Sequence, residues 1–243
     1  MSLSLKSGFP FAMIDNKVVY INDSENTDDN MLGRFVDIGM NKTFQLMPPN
    51  DAFRIFIAAP AGAGKSTFTA NLLKQYKKKY KKNKIYMVSP TQDDPAYKDL
   101  MNDIEFIKID DSIITDAIDF KEFNDCIFVF DDTESLTGNK DINKQVELFR
   151  DSCLQNGRKS RISVICILHI AMAGPSTKKV ISECDEAVLF PRSNFSMVSR
   201  LCKSYYGFGK DDLEYVRTIK SRWIVIKRTY LQAILSEHQI KLL

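Results

Sequence analysis

Residues 59–67 read Ala-Pro-Ala-Gly-Ala-Gly-Lys-Ser-Thr, set between the largely apolar run 53–58 and a helical pattern over 68–76. A loop of small residues can turn successive backbone N–H groups inward around a phosphate. A lysine then reaches the outer phosphate oxygens, and a hydroxyl at the start of the following helix holds Mg²⁺. The candidate nucleotide-binding residues are Pro60, Ala61, Gly62, Ala63, Gly64, Lys65, Ser66 and Thr67. Lys65 is also a candidate catalytic cation, Ser66 a candidate metal ligand, and the expected cofactors are ATP and Mg²⁺. The pattern usually opens with glycine six residues before the lysine, where this chain has Ala59. Alanine is costly there only if the position needs positive φ, so the substitution is expected to be tolerated.

A second group of candidates lies at 127–132, Ile-Phe-Val-Phe-Asp-Asp, an apolar run ending in two carboxylates. A buried strand fixes the first acid at the carboxyl edge of a sheet, where Asp131 can hold Mg²⁺ through water opposite Ser66. Asp132 can then orient or deprotonate the attacking water, with Glu134 as a weaker candidate two residues further on. Next come Asn-Gly-Arg-Lys-Ser-Arg at 156–161, the run Ile162–Leu168, and His169. Arg158 and Arg161, entering that strand, are expected toward the sheet edge opposite their own nucleotide and suit a neighbour's γ-phosphate in trans. His169, leaving it, suits sensing the γ-phosphate or a satisfied structural role. The basic stretch 174–179 is read as flexible, with Lys178 and Lys179 as candidate contacts to DNA phosphates.

Phosphate loop and paired acids together imply nucleoside triphosphate hydrolysis. Two other readings use the same loop and metal. A nucleotide or nucleoside kinase would close a lid with Arg192, Arg200 and Arg217, and a nucleotide-dependent switch or scaffold would bind DNA or a protein partner.

These residues need elements to hold them. Runs at Lys84–Val88, 104–109, 126–130, Ile162–Leu168, 186–190 and 223–226 are short, apolar and separated by helical segments, which predicts an α/β fold with a mainly parallel sheet flanked by helices. A hairpin over 11–21 and an acidic connection over 22–30 make residues 1–50 an N-terminal β extension on the core. Residues 51–243 are the P-loop domain, with one structural domain overall. Segments 213–219 and 231–235 are expected to cover the sheet. The cluster Tyr-Tyr-Gly-Phe-Gly at 205–209 reads as a packed helix end, or as a docking point.

The chain has 243 residues, 44% hydrophobic and 27% charged, and no stretch reaches the roughly 18 apolar residues of a membrane span. Its first ten residues lack a leader pattern, so cytosolic residence is expected. Five cysteines without a Cys-x-x-Cys pair are expected to be reduced. The net charge of +3 is unevenly spread: 91–125 holds eleven acids against three lysines, 157–180 five basic residues and no acid, and 74–84 seven lysines. Such separation can steer an anionic ligand or dock one copy on another. The lysine run suits a helix C-terminus and a solvated turn, with nucleic-acid contact as the other reading.

Taken in order, the P-loop, Asp131-Asp132, the Gly157-Arg158 segment and the residue ending the next strand resemble the viral genome-packaging ATPases of the FtsK/HerA superfamily, poxvirus-type, of large DNA viruses and virophages. The resemblance covers about 54–190. It implies a RecA-like fold and a homo-oligomeric ring, pentamer or hexamer, that pumps double-stranded DNA into a preformed capsid at a vertex. It further implies viral capsid or vertex proteins as partners, and the host cytoplasm or the virion as location. By the same resemblance Lys65 and Ser66 bind nucleotide and Mg²⁺, Asp131 coordinates metal, Asp132 activates water, and Arg158, with Arg161 second, acts in trans. Two positions depart from the family pattern: His169 stands where glutamine is common and Asp132 where glutamate is usual.

Overall fold

The computed structural model describes residues 2–23, 31–49, 51–133, 138–169, 174–229 and 231–243. By its internal contacts the chain forms two compact units, Met1–Asn50 with Asp185–Leu243, and Asp51–Cys184. The first unit opens with β1 (Ser2–Ser4), β2 (Phe9–Ile14), β3 (Lys17–Asn22), β4 (Met31–Gly33), β5 (Phe35–Asp37) and β6 (Gln45–Leu46). Strands β4-β1-β3-β2-β6 make an antiparallel sheet. Its central hairpin turns on Asp15 and Asn16, both at positive φ, the conformation that short polar side chains tolerate and a two-residue hairpin loop requires.

The second unit carries the phosphate loop. Its elements are β7 (Arg54–Ala58), α1 (Lys65–Lys79), β8 (Lys84–Val88), β9 (Ile104–Phe106), α2 (Ser112–Thr115), β10 (Cys126–Asp131), α3 (Lys140–Asn156), β11 (Ile162–Leu168) and α4 (Pro175–Glu183). Strands run in the order β7-β11-β10-β8-β9, all parallel. Every residue of β10 and β11 is buried, which is why, apart from Ser163 and the terminal Asp131, both read as apolar runs rather than alternating ones. Helix α3 lays Phe149 against the sheet, its ring centroid 5.1 Å from Phe128 and 5.8 Å from Phe130. Tyr86 and Phe123, each 5.0 Å from Phe128, complete an aromatic cluster.

Much of the acidic stretch 91–125 neutralises cations of its own unit. Asp99 pairs with Lys74, Asp103 with Lys77, Glu105 with Lys84 and Asp125 with Arg161. Lys77, Lys78 and Lys79 close α1, where cations complement the helix dipole.

The first unit continues with β12 (Glu186–Leu189), α5 (Phe195–Tyr206), α6 (Lys210–Thr218), β13 (Ile224–Lys227), β14 (Ala233–Ser236) and β15 (Gln239–Leu242). Strands β5-β15-β14-β13-β12 are antiparallel, so the runs read at 186–190 and 223–226 are not parallel partners. Residues 233–235 lie within β14 rather than covering a sheet, because a short apolar run has no period that separates a strand from a buried helix. Residues 205–209 form a packed helix end: Gly207 takes φ 70°, Phe208 N–H donates to Cys202 O at 3.2 Å, and Phe208 is buried.

Candidate nucleotide site

Register gathers the site. Ala58 pairs with Leu168 and Ile167 with Asp131, so β7, β11 and β10 end together, and the residues that follow them share one sheet edge. The ladder continues one step past the strands: Ala59 N–H donates to Leu168 O at 3.3 Å and Asp132 N–H to Ile167 O at 3.2 Å. Because β11 lies between the P-loop strand and the acidic strand, His169 emerges between Lys65 and Asp132.

The loop is open toward solvent at Ala61, Gly62 and Thr67. Gly62 and Gly64 take φ 75° and 104°, values that L side chains rarely adopt. Ala59 is absent from the positive-φ residues, which explains why alanine is accommodated there. Helix α1 begins at Gly64 with no side-chain cap and no acid in its first turn, leaving its leading N–H groups and dipole to an incoming anion. Lys65 folds back on the loop: its Nζ donates to Ala59 O at 2.9 Å, to Pro60 O at 3.4 Å and to His169 Nδ1 at 3.1 Å.

An ammonium cannot accept, so His169 Nδ1 is the acceptor and its Nε2–H donates to Asp132 Oδ2, 2.6 Å away. Asp132 takes φ 51°, and its Oδ1 is buried without a hydrogen-bond partner. Asp131, 8% exposed, has its carboxyl pushed up to about 6, first by burial and then by the neighbouring Asp132 charge, with Lys65 opposing. Burial also lowers the Lys65 ammonium below its ordinary value, against the pull of Asp132 and Asp131.

Lys65, Ser66, Asp131, Asp132 and His169 therefore belong to one edge, and Glu134 lies outside the described residues. Arg158 and Arg161 precede β11 and sit at the opposite, amino-terminal edge of the parallel sheet. Arg158 is exposed, whereas Arg161 grips Asp125 with two nitrogens. The stretch 174–179 is not flexible coil: Gly174 and Pro175 start α4, which contains both lysines. Lys179 pairs with Asp151 at 2.8 Å, and Lys178 is exposed.

One residue of this edge escaped the sequence reading. Tyr97, on the 3₁₀ turn Pro95–Leu100 beside α1, is 2% exposed, and burial raises its phenol well above the ordinary range. The carboxylates of Asp131 and Asp94 push in the same direction, and the hydroxyls of Thr69 and Ser66 oppose it. A lone tyrosine in an acidic stretch carries no spacing signal that would have found it.

Protein V3 of the Sputnik virophage, itself uncharacterized, is 30% identical over 252 residues, covering 98% of this chain and 97% of V3. The chain belongs to one family with V3. No family model matches. Among solved structures, B204, the DNA-packaging ATPase of Sulfolobus turreted icosahedral virus, superposes with TM-score 0.52 at 13% identity, covering 77% of this chain and 98% of B204. B204 of Sulfolobus turreted icosahedral virus 2 in complex with ATP-γS gives 0.50 at 13%, covering 78% and 99%. The pCW3 conjugation coupling protein TcpA, with ATP-γS, gives 0.52 at 12%, covering 91% and 73%. At such identities the likeness is one of fold: the P-loop α/β architecture that B204 and TcpA share.

Proposed function

We propose that the protein is an ATP-driven translocase that packages double-stranded DNA into a viral capsid, hydrolysing ATP at the interfaces of a homo-oligomeric ring. The observation that carries hydrolysis is the chain Lys65–His169–Asp132, which joins the phosphate-binding cation to the water-orienting carboxylate through one imidazole. The likeness to B204 supports packaging. Residues 60–67 cradle the phosphates, and Lys65 leaves the Ala59 and Pro60 carbonyls for the β/γ oxygens. Asp132, oriented by His169, positions the attacking water and takes its proton.

The residues fit a magnesium ion. Asp131 is a buried carboxylate crowded by the charge of Asp132, and Asp132 Oδ1 is orphaned, a pair that a cation relieves. Ser66 and Asp131 would hold it, supplying neutralisation of the phosphate oxygens. Arg158, exposed at the far edge of the sheet, is the trans-acting arginine of this reading, and Lys178 meets DNA phosphates. Arg161 is the second choice, since Asp125 already holds it.

Steady-state ATP hydrolysis over a protein concentration series, with and without double-stranded DNA, tests the reading. A rate per subunit that rises with both, and that Lys65→Ala abolishes, is expected. A flat rate indifferent to DNA overturns it in favour of phosphate transfer to a small acceptor or of a slow switch.

A further inference from the structure

Helix α5 contains no acid, and none stands between Glu186 and Asp211, a stretch that holds Arg192, Arg200, Lys203 and Lys210. All four cations are exposed, and among the described residues none of their side chains has an ion pair or a hydrogen bond. Other exposed cations of the same unit are neutralised on the chain itself. Lys42 pairs with Asp15 at 2.5 Å, Arg217 with Glu214 at 3.1 Å and Arg222 with Glu237 at 3.1 Å.

The helix sets two of the free cations in a row. Val198, Leu201, Cys202 and Tyr206 form its buried face. Ser196, Arg200 and Lys203, spaced by four and then three residues, fall on one exposed stripe about 10 Å long. Lys203 lies in the last turn, where a cation complements the helix dipole; Arg200, a turn earlier, gains little from it and has a like charge for its neighbour. Dipole complementation therefore accounts for one of the two. The outer face of a helix is convex and encloses no small anion, so the stripe does not suit a lid over a nucleotide. It suits an extended polyanion whose charges recur along a line, and the exposed hydroxyls of Ser196 and Ser204 add donors for phosphate oxygens.

We propose that the exposed face of α5 is a contact surface for the phosphate backbone of duplex DNA, with Arg200 and Lys203 as its centre and Arg192 at its leading end. DNA as the polyanion rests on the packaging reading above. The surface adds to Lys178 a second place at which the chain holds DNA. Contacts to phosphate carry no base sequence, so this face grips any duplex alike, as a protein that moves a whole genome requires.

The test is the double variant Arg200→Ala, Lys203→Ala in the full chain; alanine favours the helix, so the exposed stripe is removed with the fold kept. Binding of two fluorescently labelled duplexes of unrelated sequence is followed by anisotropy over a NaCl series with ATP-γS present. Both duplexes should bind the variant about tenfold more weakly than wild type, and the slope of log affinity against log salt should fall by about 2, one for each lost phosphate contact. The control, Lys42→Ala with Arg217→Ala, removes the same charge from paired cations of the same unit and should keep the wild-type slope. An unchanged slope in the α5 variant overturns the proposal and leaves α5 a solvated face or a contact for an acidic protein. An equal fall in the control overturns it by making the effect one of net charge. Weaker binding of a fluorescent ATP analogue with DNA binding intact overturns it in favour of a nucleotide lid. Wild-type protein that binds neither duplex at any salt overturns the packaging reading itself, and the role of α5 with it.

Discussion

His169 Nε2 stands 2.6 Å from Asp132 Oδ2, and the same ring accepts from Lys65 through Nδ1. The lysine fixes the tautomer, and the tautomer aims an N–H at the carboxylate, so the imidazole passes orientation from the phosphate loop to the acid. Removing it leaves both ends in place but uncoordinated. His169→Ala is expected to lower kcat by about 10–100-fold while KM for ATP changes little. His169→Gln, whose single amide can accept from Lys65 and donate to Asp132, should recover most of that loss, to within about fivefold of wild type. Steady-state kinetics of the two variants decide; an alanine variant with wild-type kcat would leave His169 a structural residue.

Arg158 and Arg161 separate on their partners. Asp125 holds Arg161 through a forked contact on its own chain, while Arg158 is exposed. Arg158→Ala is expected to reduce ATPase of assembled protein at least tenfold, since trans arginines supply large factors to phosphoryl transfer. Arg161→Ala should stay within about threefold. Under the proposed trans arrangement, in which the arginine and the phosphate loop come from different subunits, mixing Arg158→Ala with Lys65→Ala should restore activity that neither has alone. Failure of the mixture to regain any rate would mean that Arg158 acts in cis or not at all.

What the sequence disclosed follows from where information is local. The phosphate loop is legible because loop, cation and hydroxyl are contiguous, and β10 and β11 are legible because burial on both faces leaves them apolar apart from Ser163 and the terminal Asp131. The bridge through His169 was not, since it depends on β11 lying between β7 and β10, a strand order no segment encodes by itself. Nor was the grouping of Asp185–Leu243 with the N-terminal fifty residues, which runs through pairing of β15 with β5 across two hundred residues of chain. The lysine and acid runs looked like separate surfaces, whereas Lys74, Lys77 and Lys84 spend their charge on Asp99, Asp103 and Glu105.

Glu186 faces Lys227 across the β12–β13 ladder, and both are buried. Burial pushes the Glu186 carboxyl up to about 7; Lys227 opposes the shift and Asp185 adds to it. Burial likewise lowers the Lys227 ammonium. With the folded pKa above the unfolded one, the folded state binds more protons between about pH 4.5 and 7. That contribution to stability is therefore fully present below 4.5 and is lost as pH rises toward 7. Its size is on the order of 3 kcal/mol. Glu186→Gln removes the titration, so urea midpoints of wild type and variant should diverge, with the variant gaining on wild type from pH 5 to 7.5. Parallel pH profiles would assign the slope to other groups.

Phe149 is the point at which α3 grips the strand that ends in Asp131, 5.1 Å from Phe128, 5.8 Å from Phe130 and 6.1 Å from Phe123. It is 6% exposed, and truncation leaves a cavity that three aromatic neighbours cannot close without leaving their rotamers. Phe149→Ala is expected to cost about 3–5 kcal/mol, and Phe149→Leu distinctly less. At about 2–4 °C per kcal/mol for a chain of this size, the alanine variant should melt roughly 6–20 °C below wild type by circular dichroism. Because these contacts fall within β10 or before it rather than beyond its carboxyl end, ATP turnover measured well below the melting temperature should be nearly unaffected. An alanine variant that keeps its melting temperature but loses turnover would move Phe149 from support of the sheet to support of Asp131 and Asp132.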